Sequence, residues 1–309
     1  MPEDQLPTSP APTVEVCYRH PGEQTRVHCT RCERPICTDC MIPAPVGFQC
    51  PECVEEARRE FKQGPGRALR GGMSATKFLL IAIGLVYAVE VAVGGPGSLF
   101  EGPSVQSLID LGALQPFLVA NGQFWRLFTA MFLHGGLLHI AFNAYALYLF
   151  GAQVESTLGR TRFVIVYFVS GFIASAASYA FGPVEAVAVG ASAAIFGVLG
   201  AFVAYNYRRR NLAVAAANLR WALTLILLNT LLIFAFRGID WRAHVGGLIA
   251  GFAAGWIAEG SGETKAQRTG IQVAGLIALI ALGVGLVMWR TTAIRDLPFF
   301  NEGVAFFGG

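Results

Sequence analysis

The sequence is poor in charge. Aspartate, glutamate, lysine and arginine make up only 14% of the 309 residues, whereas hydrophobic residues make up 54%. Soluble globular chains carry about 25% charged residues, so this composition excludes an ordinary soluble enzyme and predicts a polytopic membrane protein. The formal net charge is only +3. So small an excess says little about acidic partners, and no nucleic-acid partner is predicted.

Cysteine is missing from most of the chain. All seven cysteines lie between Cys17 and Cys53, which leaves none to form disulfides in an extracellular domain. Residues 1–16 are rich in proline and lack an apolar run, so no signal peptide is expected, and residues 1–13 are expected to form a disordered tail.

The N-terminal segment contains four pairs of metal-ligand residues, with two residues between the members of each pair: Cys17 and His20, Cys29 and Cys32, Cys37 and Cys40, and Cys50 and Cys53. Two such pairs complete the tetrahedral shell of one zinc ion, so the four pairs predict two structural Zn²⁺ ions in a domain spanning residues 14–56. The short spacer between Cys32 and Cys37 favours a cross-brace, in which the first and third pairs bind one ion and the second and fourth bind the other. Serial pairing of neighbours stays open as the alternative.

The spacing of these pairs resembles that of B-box and RING-like zinc fingers. The resemblance covers residues 17–53 and implies a small module that contacts proteins, so a cytoplasmic protein partner is expected rather than a reaction. His28 is a ninth candidate ligand, for which a surface position is expected. Residues 57–76 are basic and contain glycine and proline, which predicts a flexible linker that meets the membrane.

Seven apolar windows are long enough to cross a bilayer and predict an all-α membrane domain. They lie near residues 78–94, 132–151, 162–181, 187–206, 219–236, 242–259 and 271–289. Basic residues cluster in alternate connections: Arg160 with Arg162, Arg208 to Arg210 with Arg220, and Lys265 with Arg268. By the positive-inside rule, this pattern predicts a multi-pass protein of the cell membrane with its N-terminus in the cytoplasm and its C-terminus outside.

A long connection, residues 95–131, separates the first two windows. It contains Trp125 and Arg126 among many apolar residues, and it predicts an ordered structure lying in the outer leaflet. Its polar groups, with Glu90 nearby, are expected to be interfacial rather than catalytic.

Four polar residues inside the windows converge at one depth. Three windows run from outside to inside in the predicted orientation, and their outer parts contain His139, Asn143, Ser192 and His244. Polar residues inside a membrane are costly and usually functional. Acyl transfer requires a nucleophile, a general base and donors for an oxyanion. We therefore predict Ser192 as the nucleophile, His244 as the base, and His139 and Asn143 as the donors.

Neighbouring residues are predicted to support these roles. Phe196 lies one turn beyond Ser192 and is expected to pack on the His244 imidazole. Small residues are expected to allow close approach of backbones around the serine, at Gly190, Gly247 and Gly251.

Other protease chemistries fit the sequence less well. His134 and His139 do not form the His-Glu-x-x-His pattern of zinc proteases. All three lysines flank the windows, which argues against a serine-lysine dyad, and only Asp240 lies near a window as a candidate for an aspartyl pair. Asp240 is expected to cap a helix at the interface, with a third position in a catalytic triad as the alternative.

The motifs together resemble the rhomboid intramembrane serine proteases. They are Trp125-Arg126, the run from His134 to Asn143, the segment Gly190-Ala-Ser192, and the run from Ala243 to Gly251. The resemblance implies a six-helix core at residues 77–260, a Ser-His dyad and no catalytic cofactor. Residues 261–309 then form a linker, a seventh transmembrane helix and a tail. Ala193 stands where the family usually has a glycine.

The leading hypothesis is an intramembrane serine endopeptidase whose partners are the lipid bilayer and transmembrane protein substrates, cleaved near the outer face. The alternative is a catalytically silent rhomboid-like protein that binds client transmembrane helices. A transporter is disfavoured because the inner halves of the windows contain almost no ionisable groups.

Overall fold

The structure is a computed structural model that describes residues 15–44, 46–63, 73–95, 97–235, 238–260 and 262–308. The chain divides into two compact units, Met1–Gly72 and Met73–Gly309. The predicted tail at residues 1–13 lies outside the described residues, as does the central part of the predicted linker, residues 64–72.

The N-terminal unit is built from short elements. Two antiparallel pairs of strands are formed by β1 (Glu15–Val16) with β2 (Gln24–Thr25) and by β3 (Ile42–Pro43) with β4 (Phe48–Gln49), and helix α1 (Pro51–Gln63) follows. Its buried core consists of six cysteines and Ile36. So little buried hydrocarbon offsets only a small part of the entropy of ordering the chain.

The second unit is all-α. Its elements are α2 (Ala75–Gly94), α3 (Ser98–Glu101), α4 (Val105–Asp110), α5 (Pro116–Ala120), α6 (Arg126–Thr129), α7 (Leu137–Ala146), a π-helical turn (Leu147–Gly151), α8 (Ala152–Leu158), α9 (Arg160–Phe181), α10 (Ser192–Arg208), α11 (Ala213–Ala235), α12 (Trp241–Glu259), α13 (Lys265–Arg295) and α14 (Phe300–Gly308). This confirms the predicted all-α polytopic fold, including a seventh long helix after the six of the core.

Within the described ranges, five helical segments are long and apolar enough to cross a membrane: Ala75–Gly94, Leu137–Leu158, Arg160–Phe181, Ala213–Leu231 and Lys265–Arg295. The protein is therefore a multi-pass membrane protein. The other two predicted windows fall on α10 and α12, of 17 and 19 residues. Helix α10 is short, and Arg242 and His244 reduce the hydropathy of α12. The two helices also pack closely against each other and against α9.

Two predicted windows begin before their helices do. Helix α7 begins at Leu137 because Gly136 has φ +134°, and α10 begins at Ser192 because Gly190 has φ +130°. These dihedral angles lie outside the helical region and favour glycine. The apolar residues before each glycine therefore form turns or extended chain that the hydropathy pattern cannot distinguish from helix.

The connection between the first two spans is an ordered ledge, as predicted. It consists of α3 to α6 and buries Leu108, Phe117 and Leu118. Leu114 exchanges two backbone hydrogen bonds with Ala188, of 3.0 and 2.9 Å, so the ledge is tied to the chain that leads into Ser192. We call the face of the unit that carries this ledge, Ser192 and His244 the upper face.

The seventh span, α13, packs along α9, where the hydroxyls of Tyr179 and Thr291 lie 2.9 Å apart. The short helix α14 follows and packs on the ledge through Phe117. Arg295 Nε donates a hydrogen bond of 2.7 Å to the carbonyl oxygen of Ala120. The C-terminal segment therefore packs on the ledge.

Candidate active site

The serine and the histidine predicted as a dyad meet at the upper face. Ser192 is the first residue of α10, and His244 lies in the first turn of α12. The distance from Ser192 Oγ to His244 Nε2 is 2.8 Å, which is hydrogen-bonding distance for a hydroxyl that donates to an imidazole nitrogen. His244 is buried, with 7% of its surface exposed. The serine hydroxyl therefore faces a nitrogen that can accept its proton.

The imidazole of His244 is held from two directions. The Phe196 ring stacks on it with centroids 4.4 Å apart and an interplanar angle of 3°. Asp240 caps α12 by accepting hydrogen bonds from the backbone of Arg242 and Ala243, and its carboxylate also accepts one from the Ser178 hydroxyl. The predicted cap is confirmed. No partner for His244 Nδ1 occurs among the described residues, so Asp240 does not take the third position of a triad.

Two further polar residues lie on α7, one turn apart. The backbone N–H of Gly135 donates to His139 Nδ1 at 3.3 Å, so Nδ1 is the unprotonated nitrogen and Nε2 carries the hydrogen. Asn143 is buried, and its Nδ2 has no acceptor within the described structure. Both side chains therefore have a free N–H donor.

Gly190 adjoins both the serine and His139. A Cβ at this position would lie 2.8 Å from His139 Nε2 and 3.4 Å from Ser192 Oγ. A side chain at residue 190 would thus block the space between the nucleophile and the histidine donor. Glycine is required there both for this space and for the positive φ.

Helices α10 and α12 approach each other through glycine. A Cβ at Gly247 would overlap the Ala193 carbonyl oxygen, and one at Gly251 would overlap the backbone of Gly197. The Ala193 methyl, at the position where glycine is usual, is buried in a cluster with Ala174 and Ala243. The backbones of the two helices are therefore close enough for their side chains to meet.

Glu90 lies inside the protein rather than on its surface. It is fully buried, and its Oε1 accepts a hydrogen bond of 2.9 Å from the backbone N–H of His134. Its partner is a backbone group 44 residues away, which composition cannot reveal. The available signal was that an ionisable residue inside an apolar window is expensive and usually functional.

The N-terminal unit gathers its eight candidate ligands into two groups. One group contains Cys17, His20, Cys37 and Cys40, and the other contains Cys29, Cys32, Cys50 and Cys53, with the ligand atoms of each group within 4.8 Å of one another. The ligand atom of His20 is Nδ1, which lies 3.2 Å from Cys37 Sγ. This grouping is that of the cross-brace rather than of serial pairing.

The chemistry of these side chains suits a metal such as zinc. All seven cysteines are free thiols, and sets of four soft ligands favour tetrahedral zinc. The Arg34 guanidinium donates to Cys32 Sγ at 3.3 Å and lowers the pKa of that thiol, which favours the thiolate that binds metal. His28 lies outside both groups and pairs with Glu15 at 2.9 Å on the surface, as expected.

Fold and site define a class: a multi-pass helical membrane protein with a serine and a histidine paired at one face. Residues 121–260 match the Rhomboid domain family. The chain is 33% identical over 234 residues to Rhomboid protease GluP of Bacillus subtilis, which covers 75% of this chain and 44% of that protein. It is 38% identical to the Putative rhomboid protease YdcA of the same species, covering 43% of this chain and 67% of that protein.

A third relative, Rhomboid-like protease 2 of Toxoplasma gondii, is 31% identical over 64% of this chain and 69% of its own length. The chain belongs to the rhomboid family. It spans less than half the length of GluP, and the matched family domain contains Ser192, His244, His139 and Asn143.

Proposed function

We propose that this protein is an intramembrane serine endopeptidase that cleaves transmembrane proteins with a Ser192–His244 dyad. The observation that carries the proposal is the 2.8 Å distance between Ser192 Oγ and Nε2 of the buried His244. A serine hydroxyl in a membrane helix ordinarily bonds a carbonyl of its own helix. Here it faces an imidazole from another helix, which is the arrangement of an activated nucleophile.

In the proposed reaction, Ser192 Oγ attacks the carbonyl carbon of the scissile peptide while its proton passes to His244 Nε2. The tetrahedral intermediate collapses as the carbon–nitrogen bond breaks, and Nε2 returns the proton to the leaving amine. A water molecule then attacks the acyl-enzyme, gives its proton to Nε2 and releases the carboxyl product, and the proton goes back to Ser192 Oγ.

The oxyanion of the intermediate requires donors that are in place before it forms. We assign this role to His139 Nε2–H, which adjoins Gly190 as Ser192 does, and to the Asn143 amide, whose Nδ2 has no acceptor among the described residues. One such donor contributes about 3 kcal/mol to transition-state stabilisation. Gly190 leaves the space that the oxyanion would occupy.

The distribution of basic residues supports an orientation with the upper face outside and the N-terminus in the cytoplasm. The proposed division is a zinc-binding domain at residues 14–56, a linker at 57–76, a protease core at 77–260, and a linker, seventh transmembrane helix and tail at 261–309. The partners are then a transmembrane substrate, entering from the bilayer near the outer surface, and a cytoplasmic protein bound by the zinc domain.

The decisive experiment reconstitutes the full chain with a single-span model substrate. The wild type is expected to cleave it, whereas Ser192→Ala and His244→Ala are expected to lose cleavage while keeping the thermal stability of the wild type. Thr291→Val, which removes a buried hydroxyl at the contact of α9 and α13, is the matched control and should keep cleavage. Cleavage by either dyad variant would contradict the proposal. A folded wild type that binds the substrate without cleaving it would favour the silent, client-binding alternative.

For the N-terminal unit we propose two structural Zn²⁺ ions, one in each group of four ligands. Three thiols with one imidazole and four thiols are both familiar donor sets for structural zinc. Metal analysis of the purified chain should find about two zinc ions per molecule. A content near one or zero would contradict the two-site assignment.

A further inference from the structure

Glu90 is a buried carboxylate that the proposed reaction does not use. It lies in α2, on the side facing the turn that precedes α7, and none of its surface is exposed. Burying a carboxyl group is costly, and the hydrogen bond from the His134 N–H to Oε1 is the compensation that the structure provides. Oε2 has no partner among the described residues. A group this costly is expected to have a role beyond filling space.

The His134 side chain is also fixed. Its Nδ1 lies 3.1 Å from the carbonyl oxygen of Phe132, and because a carbonyl only accepts, Nδ1 carries the hydrogen. The His134 ring meets the His139 ring edge to face, with centroids 5.2 Å apart and an interplanar angle of 70°. The backbone and the ring of His134 are therefore both held, the backbone by Glu90 and the ring by the adjacent turn and His139.

The next residue along the chain connects this turn to the active site. The Gly135 N–H donates to His139 Nδ1 at 3.3 Å. The alternative neutral tautomer would place a hydrogen on Nδ1 against this N–H and would present the Nε2 lone pair to the oxyanion. Gly135 has no side chain to fix its orientation, and Gly136 follows with φ +134°. The direction of this N–H therefore depends on the neighbouring peptide, which Glu90 holds.

We propose that Glu90 is a positioning residue for the oxyanion site: by holding the backbone of His134 it aims the Gly135 N–H at His139 and fixes His139 as the tautomer that donates through Nε2. This inference rests on the proposed function, since it assigns the reason why His139 can act as a donor. Glu90 itself touches neither the substrate nor the reacting atoms.

The test compares two substitutions of similar volume. Glu90→Gln keeps an oxygen that can accept from the His134 N–H, and kcat is expected to stay within about threefold of the wild type. Glu90→Leu removes the acceptor and is expected to lower kcat by about 10- to 100-fold with little change in KM, because the lost donor acts in the transition state. Equal kcat values for the two variants would overturn the proposal.

A double-mutant cycle separates positioning from general damage. If Glu90 acts through His139, then Glu90→Leu should have no further effect on kcat in a His139→Ala background. An equal loss in both backgrounds would overturn the proposal. Thr291→Val serves as the control for a lost buried hydrogen bond. A fall in its kcat as large as that of Glu90→Leu would also overturn the proposal.

A second readout does not depend on activity. With ¹⁵N-labelled histidine in the full-length protein, and His139→Ala to assign the signals, His139 should show an unprotonated Nδ1 and a protonated Nε2 in the wild type and in Glu90→Gln. Glu90→Leu should shift this signal toward a mixture of tautomers. If the wild type does not cleave the substrate but the His139 tautomer changes with the residue at position 90, the proposed protease function is contradicted and the positioning role of Glu90 stands. If cleavage occurs and the His139 tautomer is the same in every variant of residue 90, only the positioning role is contradicted.

Discussion

Gly251 of α12 lies against Gly197 of α10 so closely that a methyl group at residue 251 would overlap the Gly197 carbonyl oxygen. This contact joins the helix that carries His244 to the helix that carries Ser192, two turns from the dyad. Helix pairs in membranes associate through such close packing of small residues. Burial of apolar surface does not drive their association, because the lipid tails are as apolar as the side chains. The distance between the serine and the histidine thus depends on a contact that neither residue makes.

The first prediction concerns that contact. Gly251→Ala forces the two backbones apart, and overpacking of this kind costs about 1–3 kcal/mol. We expect a lower melting temperature and a strong loss of cleavage from a protein that still inserts and folds. Gly285→Ala is the control, since a Cβ there meets nothing within 4 Å. Wild-type activity in Gly251→Ala would show that the helix contact does not set the dyad distance.

The second prediction concerns the cap of α12. Asp240→Ala removes the acceptor for two backbone N–H groups and for the Ser178 hydroxyl, and loss of an N-cap costs about 1 kcal/mol. Fraying of the first turn should displace His244 and lower kcat, whereas Asp240→Asn keeps a capping oxygen and should retain most of it. Melting temperatures and kcat of both variants check this. Equal loss in Asn and Ala would point instead to a need for the charge.

The third prediction concerns the ledge. Arg126 is buried, and its guanidinium donates to the carbonyl oxygens of Ile109 and Ala113 at 2.6 and 2.9 Å. Arg126→Ala leaves the Ala113 carbonyl oxygen without a donor among the described residues, whereas the Ile109 carbonyl oxygen keeps the backbone N–H of Gly112 at 3.0 Å. An unsatisfied buried group costs about 1–3 kcal/mol. We expect a lower melting temperature, and faster cleavage of residues 109–113 by a protease added on the side of the upper face. Proteolysis as slow as that of the wild type would rule out this role.

The fourth prediction concerns the metal groups. Cys37→Ser should lower the zinc content by about one ion per chain, and Cys17→Ser should remove the same ion, because both thiols belong to one group. His28→Ala should leave the content unchanged, since His28 pairs with Glu15. Loss of two zinc ions per chain, rather than one, in the double variant with Cys17→Ser and Cys37→Ser would contradict the cross-brace.

Local patterns in the sequence predict much of this fold. Apolar windows locate the spans because a membrane-crossing helix must satisfy its backbone internally and present hydrocarbon to lipid. The ligand pairs are visible because members of each pair are three positions apart. His244 stands out because ionisable groups inside apolar windows are rare, and Ser192 because it lies among small residues at the predicted depth of His244. No local pattern reveals their 2.8 Å distance.

The sequence could not reveal contacts made through backbone geometry. The starts of α7 and α10 were predicted about five residues early, because positive φ at Gly136 and Gly190 leaves no mark on hydropathy. The burial of Glu90 depends on a peptide N–H far along the chain. The C-terminal helix α14 was predicted only as tail, because its packing on Phe117 is a tertiary contact.

The most direct measurement of the central claim is labelling of the full-length protein with a fluorophosphonate probe, which reacts only with an activated serine. We predict attachment to Ser192 in the wild type, loss of labelling in His244→Ala, and retention in Thr291→Val. No labelling of a folded wild type, or undiminished labelling of Ser192 in His244→Ala, would show that the imidazole does not activate the serine.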